Sequence, residues 1–262
     1  MTINRYFSKF SLSNMTHSEI HDYIQKMPHL IIPLGGLEPF GNFGILGINS
    51  LCINAIAGAV SQKLEMLLAP GIDYGCTTPF KSFHGAIGIK PKTFSSFLSS
   101  LCNDCFFQGF ESVLILNSIE ENDLALELLA KRYNNSCKKI FMFSLQSDKR
   151  IREFVASCKS GVELGRSEYM MLSMAAFIQP NLFLATGTEK NLKIPDPSIY
   201  KTWKKRGADP EKFRKLFPSG SASTIAHEFN PEIGGKIFNF IIDLLSNQYS
   251  QLAKQKTIDA SS

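Results

Sequence analysis

No apolar run in this chain of 262 residues approaches the ~18 residues that a helix needs to cross a bilayer, which excludes a membrane-spanning helix. Behind Met1–Arg5 there is no continuous apolar segment, so no secretory signal is expected. Cysteines are few and irregularly spaced, at 52, 76, 102, 105, 137 and 158. Such spacing makes no disulfide framework and, without a signal segment, points to the reducing cytoplasm. Cys102-Asn-Asp-Cys105 is formally C-x-x-C, but no second pair or neighbouring histidine completes a zinc site. Both thiols are read as ordinary residues of an amphipathic helix. Charge of one sign is also scarce: the net charge is +5. The one lysine-rich stretch, 201–215, interleaves acids and carries only Trp203 and Phe213 as aromatics. It is read as solvated surface, and no nucleic-acid partner is expected. There is no internal repeat and no low-complexity tract.

What the chain does have is core. At 44% hydrophobic content it can bury one large domain, taken as residues 1–249, with 250–262 as a frayed tail. Short apolar runs at 30–33, 67–69, 113–116 and 139–143 read as buried strands. Helical patterns lie near 50–65, 92–108, 123–133 and 231–248. Thr16 with Glu19 forms a capping box that opens a short helix ending before Pro28. Strand–helix alternation predicts a parallel sheet with helices on both faces. Residues 188–218, polar and rich in proline, are read as a long excursion over the surface.

The organising stretch is 29–54, HLIIPLGGLEPFGNFGILGINSLCIN. An apolar strand ends at Gly35-Gly36, the carboxylate of Glu38 stands just past its end, and a helix begins near Asn49-Ser50, with Ser50 as its cap. In open α/β sheets ligands bind in the crevice beyond the carboxyl ends of the strands. Other candidates near such a crevice are Cys76 with His84, a conceivable nucleophile and base, and Asp73 as an orienting acid. Asn117 and Asn122 are read as residues that tie a turn through side-chain hydrogen bonds.

Pro33-Leu-Gly-Gly-Leu-Glu38-Pro-Phe40-Gly41 resembles the signature loop of the creatininase (creatinine amidohydrolase) family, P-x-G-S-x-E-Q-H-G, which an Asp at the helix start follows. Pro70…Tyr74-Gly75 resembles its P-x-x-x-Y-G, and Asn117-Ser-Ile119-Glu-Glu121-Asn122 its N-G-H-Y-E-N. Gly165, Arg166 and Glu168 fit its H-A-G-x-x-E-T-S helix, and Pro218-Ser219-Gly220 its late glycine turn. The resemblance implies a three-layer α/β/α fold with a mainly parallel central sheet. It implies homo-oligomers, often hexamers, with the aromatic N-terminus (Tyr6, Phe7, Phe10) as an interface element. It also implies a pair of zinc or manganese ions that polarise an amide carbonyl and generate hydroxide.

The ligand positions are altered. Phe40 stands where the family has a His, Asn49 where it has the Asp and Ile119 where it has a second His. Of the five histidines, 17, 21, 29, 84 and 227, none lies at a family ligand position. The expectation is therefore a creatininase-family protein whose dinuclear-metal site is largely lost, with no metal or other cofactor, serving as a ligand-binding, regulatory or scaffolding protein. The alternative is a divergent hydrolase of cyclic amides or related C–N bonds with a rebuilt carboxylate site of Glu38, Glu121 and Glu168. The catalytic candidate is Glu121. The pocket candidates are Glu38, Phe40, Asn49, Tyr74, Ile119, Asn122 and Glu168. Two carboxylates in a partly apolar crevice repel each other, so a small polar or cationic ligand is the expected partner.

Overall fold

β1 (His29–Leu34), β2 (Leu67–Leu68), β3 (Ser112–Asn117) and β4 (Lys139–Ser144) form one parallel sheet in the order β2-β1-β3-β4. They come from a computed structural model, which describes residues 8–42, 44–134, 138–158, 167–183, 209–223 and 228–254. β1 and β3 are buried along their whole length, which is why they read as continuous apolar runs with no alternation. Their register pairs His29 with Ser112 and Leu34 with Asn117. All four strands lie within a residue or two of the predicted runs.

Helices cover both faces. α1 (His17–Ile24) opens with the predicted capping box: Thr16 Oγ1 accepts from the Glu19 N–H, and Glu19 Oε2 accepts from the Thr16 N–H at 2.8 Å. α2 (Ile48–Leu64) connects β1 to β2 on one face, while α3 (Pro91–Phe107) and α4 (Asp123–Tyr133) lie on the other. The chain then adds α5 (Lys149–Cys158), α6 (Glu168–Ile178), α7 (Pro210–Leu216) and α8 (Pro231–Lys254). α6 and α8 pack against each other and against α2. They form the larger core with Ile53, Ile56, Met171, Ile237 and Ile241. Among the described residues no helix is long and apolar enough to cross a membrane.

Several expectations need correction. α2 starts at Ile48 with Gly47 before it, so Ser50 sits inside the first turn and does not cap it. Its hydroxyl accepts the Gly36 N–H instead, at 3.1 Å. α3 buries Phe94, Leu98, Cys102 and Phe106, while Phe97 is 43% exposed. Cys102 is thus a core residue of this amphipathic helix, and Cys105 is half-buried beside it. Part of 188–218 is not a surface excursion: α7 buries Phe213, and Phe217 follows it into a satellite core with Phe80. Phe10 is a core residue, so it is not exposed for an interface; Tyr6 and Phe7 lie outside the described residues. α8 runs to Lys254, beyond the expected end at Gln248.

The two sheet edges differ. Beside β2, Ser11 bridges Leu68, and the Leu68 N–H donates to Phe10 O at 2.9 Å. The N-terminal segment thus closes that edge. Beyond β4 no described strand pairs.

Candidate functional site

The sheet order reverses between β1 and β3. The connection through α2 leads one way, those through α3 and α4 the other, and the helices diverge at the carboxyl ends of these two strands. That is where an open α/β sheet leaves its crevice. Ser118, next after β3, stitches the crevice floor. Its hydroxyl hydrogen-bonds Leu34 O at 2.9 Å and Asn49 O at 3.2 Å.

Glu38 lies just past β1, fully buried, with its N–H on Leu46 O. Its carboxylate oxygen Oε2 accepts from Asn49 Nδ2 at 2.7 Å. Asn49, also fully buried, is presented by the first turn of α2. Behind it stands Gln146, whose Nε2 donates to Asn49 Oδ1 at 3.4 Å and to Ser118 O at 2.5 Å. A row of amides thus leads to a buried carboxylate. Replacing Asn49 with the near-isosteric leucine withdraws the last donor. The expected loss is about 1–3 kcal/mol of stability, since a buried acceptor loses a hydrogen-bond donor. Urea unfolding measures this, and an unchanged midpoint would show that the amide contributes nothing.

The next layer is hydrocarbon. Phe40 is buried in the larger core beside Ile48 and Leu172. Ile119 is fully buried against Gly36: a Cβ built on Gly36 would stand 2.0 Å from Ile119 Cδ1. Any side chain at 36 would have to displace the Ile119 terminal methyl.

The turn after β3 is tied as predicted. Asn122 Nδ2 donates to Asn117 Oδ1 at 2.9 Å, and Asn117 Nδ2 to Ile119 O at 2.7 Å. Asn122 Oδ1 also accepts the Cys76 N–H at 2.7 Å, fixing the Tyr74-Gly75 loop to the β3 end. Asp123 binds this turn to β4 by accepting from the Ser144 and Ser147 hydroxyls, each at 2.7 Å.

Glu168, at the start of α6, is buried and accepts the Ala222 N–H on Oε1 at 3.0 Å. The same turn carries Gly220 at φ +80°, where an added Cβ would meet Pro39 at 2.5 Å. The late glycine turn is thus seated on the Glu38 loop. Glu121 is half-buried, and its charge, after burial itself, helps push the Cys76 thiol up to about 12. Cys76 is buried and His84 is exposed, so this cysteine is a protonated core thiol and no Cys–His nucleophile. Tyr74 is 50% exposed on its loop, and Asp73 is exposed.

Among the described residues, no three His, Cys, Asp or Glu side chains gather so as to hold a metal ion. His29 sits at the amino end of β1, away from the crevice, with its Nδ1 2.8 Å from Ser112 Oγ. Gly165, Arg166 and His227 lie outside the described residues. Sequence reading missed Ser118 and Gln146. The only signal was their position, one and two residues past strand ends.

Known proteins resemble this chain as follows. Residues 13–248 match the family profile described as Creatininase: Creatinine amidohydrolase. A creatinine amidohydrolase of Pseudomonas putida is 23% identical over 100 residues, a stretch covering 36% of this chain and 38% of the relative's length. A crystal structure of creatinine amidohydrolase (creatininase) superposes with a TM-score of 0.70 at 16% identity, covering 95% of this chain and 100% of that one. A structure described as creatininase Mn gives 0.68 at 14% identity, covering 94% and 99%. Other similar structures are mutant creatininases, one of Zn-Zn type and one complexed with creatine.

Proposed function

This chain belongs to the creatininase family, and from that premise we propose that it uses the family fold without the dinuclear-metal amidohydrolase centre, as a ligand-binding, regulatory or scaffolding protein. The observation that carries this reading is the Asn49–Glu38 hydrogen bond. An amide that donates through its N–H₂ takes the place of a carboxylate that would coordinate, and it occupies a lone pair of Glu38. Phe40 and Ile119 offer hydrocarbon where the resemblance implies imidazoles, and both are packed into the interior. This donor set does not fit a zinc or manganese pair, which takes several nitrogen and oxygen ligands per ion. The reaction of the family needs such ions to polarise an amide and to form hydroxide at neutral pH.

The ligand we propose is a small polar or cationic molecule. Glu121 at the crevice and the Tyr74 ring on its loop supply one negative and one aromatic contact. The cytoplasm is the proposed compartment, supported by free thiols at Cys52, Cys76, Cys102, Cys105 and Cys158.

Elemental analysis of the purified chain, beside a turnover screen on creatinine and other cyclic amides with Zn²⁺ or Mn²⁺, tests the proposal. The expected result is less than one equivalent of metal and no hydrolysis above background. Two ions per chain with turnover would replace this reading by the hydrolase one. Phe40→His, Asn49→Asp and Ile119→His together should raise affinity for Zn²⁺ steeply over the unmodified chain. Calorimetric titration reads this, and no gain would mean either that these three positions do not correspond to the family's ligands or that the surrounding pocket is remodelled beyond rescue.

A further inference from the structure

We propose that the crevice takes an organic primary ammonium ion carried on an apolar body, and that Gln146 is the residue that selects its N–H. The proposal rests on the metal-free ligand site argued above and gives that ligand a chemical class.

Gln146 stands two residues past β4 and is 7% exposed. Its Nε2 donates to Ser118 O and to Asn49 Oδ1, so both hydrogens of the amide nitrogen are spent on the crevice floor. Because Ser118 O is a backbone carbonyl and only accepts, the atom facing it must be the nitrogen. Oε1 is the other branch of the planar amide and is turned away from the floor. It accepts no hydrogen bond among the described residues, and it is not one of the oxygens sealed inside the protein. A side chain more than nine-tenths buried thus holds out one neutral acceptor, fixed from behind by two bonds of its own. An N–H donor matches such an oxygen. An anion or a bare hydrocarbon would leave it unpaired.

The charge and the body of the ligand follow from the surroundings. The turn that Ser118 opens also carries the half-buried Glu121, and a carboxylate favours a charged donor over a neutral one. Exposed apolar side chains gather on the same side of the sheet. Ile45 follows the carboxyl end of β1, Tyr74 and Ile87 follow that of β2, and Leu124 follows that of β3. The loops that bear them are tied together. A Cβ on Gly85 would stand 2.5 Å from Leu46 Cδ1, and Asn122 holds the Cys76 N–H. Hydrocarbon at the mouth, with a neutral acceptor and a carboxylate below it, suits an amphiphilic cation.

Calorimetric titration of the full chain with three probes tests this. 2-Phenylethylammonium has the ring, the charge and the N–H donors. Its N,N,N-trimethyl analogue keeps the ring and the charge without any N–H, and methylammonium keeps the charge and the N–H without the ring. Each of the two controls should bind at least about tenfold more weakly than 2-phenylethylammonium. Gln146→Met, similar in length and without the acceptor, should weaken 2-phenylethylammonium to the level of the trimethyl analogue and leave that analogue's affinity unchanged. Equal weakening of both would make Gln146 a prop of the crevice floor and overturn the proposal. Equal or tighter binding of the trimethyl ion by the unmodified chain would mean that the Tyr74 ring reads the charge, and overturns it whether or not the variant folds. So does an absence of binding by all three probes. Metal content is read on the same sample. A metal-free chain that fails to discriminate overturns this inference alone, whereas two ions per chain overturn the metal-free site and this inference with it.

Discussion

Gly234→Ala is expected to destabilise the protein by about 3 kcal/mol or more, at the upper end of overpacking costs. Gly234 lies in the first turn of α8, where that helix crosses α6. A Cβ placed there would stand 1.9 Å from the carbonyl oxygen of Ser173 and 2.3 Å from its carbonyl carbon. Both atoms are backbone of a helix whose residues 168–176 are all buried. No rotamer change relieves the overlap; one helix must move off the other. Alanine gains about 1 kcal/mol of helix propensity over glycine, too little to offset this. For a chain of this size the change corresponds to a fall in Tm of about 6–12 °C. The neighbouring Gly235 is the internal control. Its added Cβ would meet the ring of Phe177 at 3.0 Å, and that side chain, 36% exposed, can turn aside. Gly235→Ala should therefore cost much less. Equal losses at both positions would mean that the α6–α8 crossing is not held by this close approach.

Stability is expected to collapse above pH 9. Burial pushes the Cys76 and Cys102 thiols up to about 12 and raises that of Cys52 further. Glu121 adds to the shift at Cys76 and Cys105 to that at Cys102. In the unfolded chain the same thiols ionise near 8.5. Their contribution is complete below that value and is lost as pH climbs toward the folded value, because only the unfolded state releases the protons. Cys105, half-buried, is likewise pushed up to about 11 by burial. Each thiol removes about 1.4 kcal/mol per pH unit in that window, so four together give a slope of about 5–6 kcal/mol per unit. Tm measured from pH 8 to pH 10.5 under reducing conditions reads the slope directly. Cys102→Ala should reduce it by about a quarter. A flat Tm between pH 8.5 and pH 10 would show that these thiols titrate normally and are therefore open to water.

The sheet was legible because its strands are short apolar runs with turn residues after them, the signal that burial on both faces leaves in a sequence. α4 was legible at both ends for a similar reason: Asn122 precedes it, and its apolar spacing stops at Tyr133. α5 left little trace. Only Ile151 and Val155 are fully buried on it, with Phe154 half-buried and stacked on Phe240, and the charged residues between them break up the apolar spacing. α7 hid inside a polar, proline-rich stretch, because one deeply buried phenylalanine, Phe213, is enough to dock seven residues. The departures of Phe40, Asn49 and Ile119 from the family motif could be read from sequence. What these side chains touch could not. Asn49 as a donor to Glu38, and Gln146 behind it, depend on the ends of β1, β3 and β4 lying side by side. Only the strand order supplies that. Ser50 was misassigned because a serine at a helix start favours a cap, whereas here a strand-end N–H competes for it.

The strand order also sets a timetable for synthesis. β1 is central, yet its long partner β3 ends at Asn117, so a ribosome must add every residue from Leu34 to Asn117 before that pairing can close. At about 5–20 residues per second this leaves the apolar run Leu30–Leu34 waiting for several seconds. The α2 side waits longer, since α8 covers it only after residues 231–254 have emerged. A nascent chain of this protein therefore carries an uncovered apolar face through nearly its whole translation. It should depend on holding chaperones far more than on any slow step after release.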